Sequence, residues 1–145
     1  MPTFLLDTNV FAALCQPEPN VRIVRAFEKH EDALATAALV LNEMWFDILC
    51  LAPSKKRAHL ERFMNDVVGG ITVLAYDAQA AHWHANERAR LKSVGRTPSF
   101  VDGQIAAVAA VNDAIVVTAN TADFALFQGL RVEDWSSDGK GRPRK

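Results

Sequence analysis

Short apolar runs alternate with longer stretches of helical periodicity along this chain. Phe4-Leu5-Leu6 and Ala114 to Val117 are unbroken apolar runs, the pattern of strands covered on both faces. Residues 3–6 and 114–117 are therefore predicted strands, with a strand carrying β-branched residues at 71–75 and weaker ones at 33–36 and 130–133. Helices are predicted between them. One covers 8–15 and stops near Pro17 and Pro19; the next runs from an Asn20 cap to about 30, with Val21, Val24, Phe27 and also Ile23 on its apolar face. Thr36 is placed to cap a helix that carries Glu43 and ends at Pro53. Ser54 caps a helix to about 68, where Leu60, Phe63, Met64 and Val67 recur at helical spacing before Gly69-Gly70. Asp77 caps a helix to about 94, Thr97-Pro98-Ser99 opens one bearing Asp102, and a short helix falls at 122–127.

Strands alternating with helices throughout predict parallel pairing and a three-layer α/β/α domain with a central parallel sheet. The 145 residues, half of them hydrophobic, suit one domain, expected over 1–136. Residues 137–145 contain four basic side chains, glycine and proline, and are expected to form a basic disordered tail. A net charge of −1 gives no global attraction to nucleic acid. No run of eighteen apolar residues suggests a membrane span, and the N-terminus lacks the features of a signal peptide. Cys15 and Cys50 lie in apolar stretches without zinc spacing, and read as buried free thiols of a cytoplasmic protein.

Four acids sit in apolar surroundings: Asp7, Glu43, Asp102 and Asp123. Three have capping explanations. Asp7 begins a helix, while Ser99 to Asp102 and Asn120 to Asp123 both have capping-box spacing. Glu43 lies in mid-helix among Leu39, Val40, Met44, Trp45 and Phe46, where it caps nothing; the plain alternative is a thin solvated stripe of Asn42, Glu43 and Asp47. Clustered carboxylates repel one another unless a cation compensates, and hard oxygen ligands suit Mg²⁺ or Mn²⁺. Such a site activates water for hydrolysis of a phosphodiester.

At these residues the chain resembles the PIN-domain nucleases. Leu5-Leu6-Asp7-Thr8-Asn9 is similar to their opening motif, Asn42-Glu43 to their helical glutamate, and Asp102-Gly103-Gln104-Ile105-Ala106-Ala107 to their third acid. Val117 to Phe124 resembles their closing segment, and Gly129 to Trp135 their final strand. Many relatives carry an acid where Asn120 stands, so the fourth acid falls to Asp123. The small size looks like the VapC-type toxins of toxin–antitoxin pairs. The resemblance implies an endoribonuclease dependent on Mg²⁺ or Mn²⁺, with Asp7 and Asp102 as principal metal ligands. Glu43 and Asp123 would complete the catalytic set, and Thr8, Asn9, Thr118 and Asn120 would support it. It further implies a homodimer and a cognate antitoxin that blocks the site.

Other features are weaker. His82 and His84, two apart on a helix, do not face each other and read as one exposed and one partly buried side chain. Arg88, Lys92 and Arg96 recur every four residues as a stripe for RNA contact or simply a solvated face. The helices at 21–30 and 54–68 offer apolar surface for a partner. Two competing readings remain: a non-catalytic PIN-like module that binds RNA or protein, and a phosphoacceptor domain using Asp77, which lacks the lysine that such a domain needs after a late strand.

Overall fold

The computed structural model describes residues 2–137. Residues 138–145, nearly all of the expected tail, lie outside the described residues. The elements follow the alternation read from the sequence. Strands β1 (Thr3–Leu6), β2 (Leu34–Ala37), β3 (Thr72–Leu74), β4 (Ala114–Val117) and β5 (Val132–Glu133) are joined by helices. These are α1 (Thr8–Leu14), α2 (Val21–Lys29), α3 (Ala38–Leu49), α4 (Lys55–Asp66), α5 (Ala78–Ser93), α6 (Phe100–Val111) and α7 (Thr121–Phe124). The five strands form one sheet in the order β3-β2-β1-β4-β5, parallel throughout.

All four residues of β2 and of β4 are buried. Successive strand side chains point to opposite faces, so both faces of the sheet centre must be covered, which gives the three layers. The core gathers Phe11, Phe124, Leu5, Leu6, Ile105, Val116 and their neighbours. β1 lies between β2 and β4, so the strand order grows outward from it in both directions, first to β2 and β3 and later to β4 and β5. This switch point puts a crevice beyond the carboxyl ends of β1 and β4. Leu6 pairs with Val117, so the residues that follow, Asp7 and Thr118, emerge side by side.

Several helix starts are those expected. Asn20 accepts from the backbone N–H groups of Arg22 and Ile23, Ser54 from Arg57, and Asp77 from Ala80. Others differ. Thr36 does not cap α3. Ala37 occupies that place without a side-chain bond, and the buried Thr36 hydroxyl donates to the Leu6 carbonyl oxygen at 2.8 Å. It ties β2 to β1 beside the crevice. Thr36→Val keeps the shape and removes the bond. It is expected to lower stability by about 1 kcal/mol in urea unfolding.

On α2, Ile23 is buried and Phe27 packs against the core as expected, while Val21 is exposed. Neither cysteine is fully buried. Cys15 is half-buried and Cys50, at the end of α3, is exposed, although both are free. The exposed large apolar side chains are also not concentrated on α2 and α4. They include Phe46 and Leu49 on α3, Val94 after α5 and Phe100 at the start of α6. No helix among the described residues is long and apolar enough to cross a membrane.

Candidate active site

Asp7 is the best-anchored acid of the four. It closes β1 with its backbone N–H donating to the Val117 carbonyl, and its side chain caps α1 by accepting from the Thr8 N–H at 2.8 Å. Its second oxygen, Oδ2, accepts from the Thr118 hydroxyl at 2.9 Å and, more weakly, from the Asn9 amide at 3.5 Å. Asn9 also donates to Thr118 Oγ1 and accepts from the Ala119 N–H, so it clips the start of α1 to the loop after β4. Asp7 is only 6% exposed, which leaves its carboxylate little freedom to turn.

Glu43 differs from expectation. It is exposed, as are Asn42, Phe46 and Asp47 around it; α3 buries only Val40, Met44 and Ile48. The solvated stripe is thus real, and it is broadened by uncovered apolar residues. Glu43 nevertheless points back to the crevice, because its Oε1 accepts from the Thr8 hydroxyl at 3.0 Å. Thr8 therefore bridges Asp7 and Glu43, through its amide and its hydroxyl respectively.

Asp102 is half-buried in the first turn of α6, where Ser99 caps the helix by accepting the Asp102 N–H at 3.3 Å. Burial pushes its carboxyl up to about 6, and Asp7, Asp123 and Glu43 add to the rise in that order. All four contributions have the same sign, and no cation among the described residues offsets them. The structure therefore brings the four acids into one electrostatic neighbourhood. Asp123 is its exposed member, on the short helix α7. Asn120 does not cap that helix with its side chain. Its N–H donates to Thr118 Oγ1 instead, holding the loop that carries Asp123 against the Asp7 anchor.

Those charges and donor types suit a hard divalent cation. Among the described residues, however, no three His, Cys, Asp or Glu side chains converge closely enough to chelate an ion by themselves. A cation held here would keep part of its water shell, as Mg²⁺ commonly does. The folded protein binds the Asp102 proton more tightly than the unfolded chain does, since the folded value of about 6 exceeds the ordinary 3.8. The contribution of Asp102 to stability in EDTA is thus expected to fall as pH rises from about 4 to about 6. Asp102→Asn is expected to remove that decline, as read by thermal unfolding.

The other sequence candidates fall around this centre. Arg88, Lys92 and Arg96 are all exposed on α5 and just beyond it. Arg88 lies over the Phe100 ring at 4.8 Å, two residues ahead of Asp102. Arg90 does not join that stripe. It is bound to the buried Glu87 by two hydrogen bonds and donates to the Leu126 carbonyl. His82 is exposed and His84 buried, as expected of a pair on different faces. Asp77, following the edge strand β3, only caps α5.

Sequence reasoning passed over Gly103 and Asp134. Gly103 packs directly on the His84 ring, an approach that would leave no room for a Cβ. Asp134 turns the chain after β5, accepting from both Ser136 N–H and its hydroxyl. The Asp-Trp-Ser spacing is an Asx-turn signal that could have identified it.

Comparison with known proteins identifies the fold and the family. The family model for the PIN domain matches residues 4–129. The tRNA(fMet)-specific endonuclease VapC of Shigella flexneri is 33% identical over 94% of this chain and all of its own length. Toxin FitB of Neisseria gonorrhoeae is 31% identical, over 90% of this chain and 97% of its own. Among solved structures, the DNA-bound VapBC of Salmonella typhimurium superposes with a TM-score of 0.82 at 27% identity, covering 93% of this chain and 99% of the other. A structure of FitAB bound to a DNA fragment gives 0.86 at 27% identity, covering 97% and 100%. Matched from β1 past α7 by the family model and along almost its whole length by a VapC nuclease, the chain belongs to the PIN-domain family, on its VapC side.

Proposed function

We propose that this protein is an endoribonuclease and the toxin of a toxin–antitoxin pair, with Asp7, Glu43, Asp102 and Asp123 as one cation-dependent site. The observation that carries this reading is the coupling of the four acids. Asp102 is raised to about 6 partly by the charges of the other three, and the four acids lie on four different segments of the fold. Side chains that served only local structure would have no need to lie within reach of one another's charge.

Asp7 and Asp102, the two acids withdrawn from solvent, are the side chains that would hold Mg²⁺ or Mn²⁺. A bound ion of this kind supplies Lewis acidity at a phosphoryl oxygen and lowers the pKa of water. The chain's own groups provide the rest. Thr118, Asn9 and Thr8 fix the direction of the Asp7 carboxylate, so that it meets a ligand without first reorganising. Thr8 also orients Glu43 from the solvent side. Glu43 and Asp123 are exposed, and so are placed to accept protons from water entering the crevice. Arg88, Lys92 and Arg96 provide the positive charge that an RNA backbone needs beside an acidic centre.

The relatives extend the reading to partners. VapBC structures are described as members of toxin–antitoxin systems, and FitB is named a toxin. An antitoxin chain and a second copy of this one are the partners that follow. The domain then ends near residue 136. Labelled RNA incubated with Mg²⁺, Mn²⁺ or EDTA tests the activity. Cleavage with either metal, none in EDTA, and products with 5′-phosphate and 3′-hydroxyl ends are expected. Equal cleavage under all three conditions would remove the metal-dependent reading.

A further inference from the structure

A cleft of about 240 Å³ opens beside the acidic site. It is smaller than the roughly 300 Å³ at which drug-sized pockets begin, and suits one flat group. Asn9 and Thr118 line it, and the same two side chains hold Asp7. The cleft and the acids are therefore separated by a single layer of side chains. Val10 and Ile23 give it apolar walls, and Trp135 closes one side. Trp135 is held rigid: its ring stacks on His30, lies 5.5 Å from Phe4, and its indole N–H donates to Glu133.

Asp134 adds the one carboxylate to a lining that also includes Asn9, Asn20, Thr118 and Ser136. Its Oδ1 takes both donors of Ser136, at 2.8 and 2.6 Å. Oδ2 accepts no hydrogen bond among those of the described residues, and its lone pairs are open to water or to a ligand. RNA-binding proteins read unpaired bases in this manner, on aromatic or apolar walls with hydrogen bonds to the base edge.

We propose that this cleft is a subsite for one unpaired nucleobase of the RNA, with Asp134 as the residue that selects it. The inference rests on the ribonuclease reading above. A carboxylate oxygen accepts only. Guanine presents two adjacent donors on its pairing edge, adenine and cytosine one amino group each, and uracil one imino group between two carbonyls. Guanine is thus the preferred base and uracil the least favoured.

Asp134→Asn tests this choice cleanly. The amide oxygen can keep the Ser136 bonds while an NH₂ group replaces Oδ2, turning the free acceptor into a donor. Ala119→Leu, from an exposed position on the rim, tests the cleft by filling it. Titrating GMP, AMP, CMP and UMP with Mg²⁺ present, and following the Trp135 indole signal by NMR, reads occupancy directly. GMP is expected to bind roughly tenfold more tightly than UMP. That ratio should collapse toward one in Asp134→Asn, and all binding should weaken in Ala119→Leu. A parallel digest of RNA with randomised unpaired positions should show the same preference near the cut, lost in Asp134→Asn.

Equal binding of all four nucleotides, or a preference unchanged in both variants, overturns the subsite. RNA cleavage that depends on Asp7 but shows no base preference overturns it while leaving the nuclease standing. GMP selectivity with no RNA cleavage supports the cleft and removes the nuclease reading.

Discussion

Asp7→Asn is expected to lose RNA cleavage by on the order of a hundredfold or more while the protein stays folded. The exchange removes one charge and almost no volume. Its amide oxygen can still accept from the Thr8 N–H, so α1 keeps its cap. The difficulty falls on the other side, where an NH₂ group would face the Asn9 amide and the Thr118 hydroxyl, both of which donate to Oδ2 in the wild type. Rotation of that hydroxyl relieves part of the conflict, so the stability change should stay within about 1 kcal/mol. Asp102 should also respond, because Asp7 is the largest of the three charges raising its carboxyl. Its pKa is expected to move down toward the ordinary value in the variant. Activity lost together with the fold would mean that Asp7 is mainly a cap. Activity retained would mean that the cation is held elsewhere.

Gly103→Ala is the second large effect, and it acts on stability first. A Cβ at Gly103 would fall 2.7 Å from His84 Cδ2, and closer still to the ring nitrogen beyond it. The ring has little freedom to move aside. His84 is 2% exposed, its Nδ1 lies 3.2 Å from the Tyr76 hydroxyl, and Phe100 packs 4.9 Å away. Overpacking of this kind typically costs about 1–3 kcal/mol, which for a domain of this size lowers Tm by several degrees. The strain also reaches the site, because Asp102 is the preceding residue on α6. Cleavage should therefore fall in the folded variant too. Combining Gly103→Ala with His84→Ala removes the obstruction and should recover part of the lost Tm, a non-additivity that a merely weakened helix would not show. Calorimetric melting of the two single variants and the double one checks it.

Much of the fold could be read from the order of apolar runs, because β1 and β4 are buried on both faces and carry no alternation to confuse. Caps were readable where a side chain had one evident task, as with Asn20, Ser54 and Asp77. Thr36 misled because threonine serves equally as a cap and as a strand residue; only the neighbouring Leu6 carbonyl decides between them. The four acids were legible as candidates, and their environment was not. Glu43 sits in an apolar stretch of sequence, yet Phe46 and Leu49 beside it are left uncovered, so local hydrophobicity overstated its burial. Val21, exposed on the expected apolar face of α2, shows the same limit in miniature. Composition says that a helix has an apolar face, while packing decides which residues form it. Asp134 and the cleft could not be found from periodicity at all, since they depend on three distant segments meeting.

The central claim is that four acids form one site whose charge calls for a cation. Titration of the Asp102 carboxyl by carbon-detected NMR, first in EDTA and then with Mg²⁺, tests it most directly. Burial and the other three acids place its midpoint at about 6 in EDTA. Added Mg²⁺ should carry the midpoint well below that, in the wild type and not in Asp7→Asn. A midpoint at the ordinary carboxylate value in EDTA, unmoved by Mg²⁺, would contradict the claim.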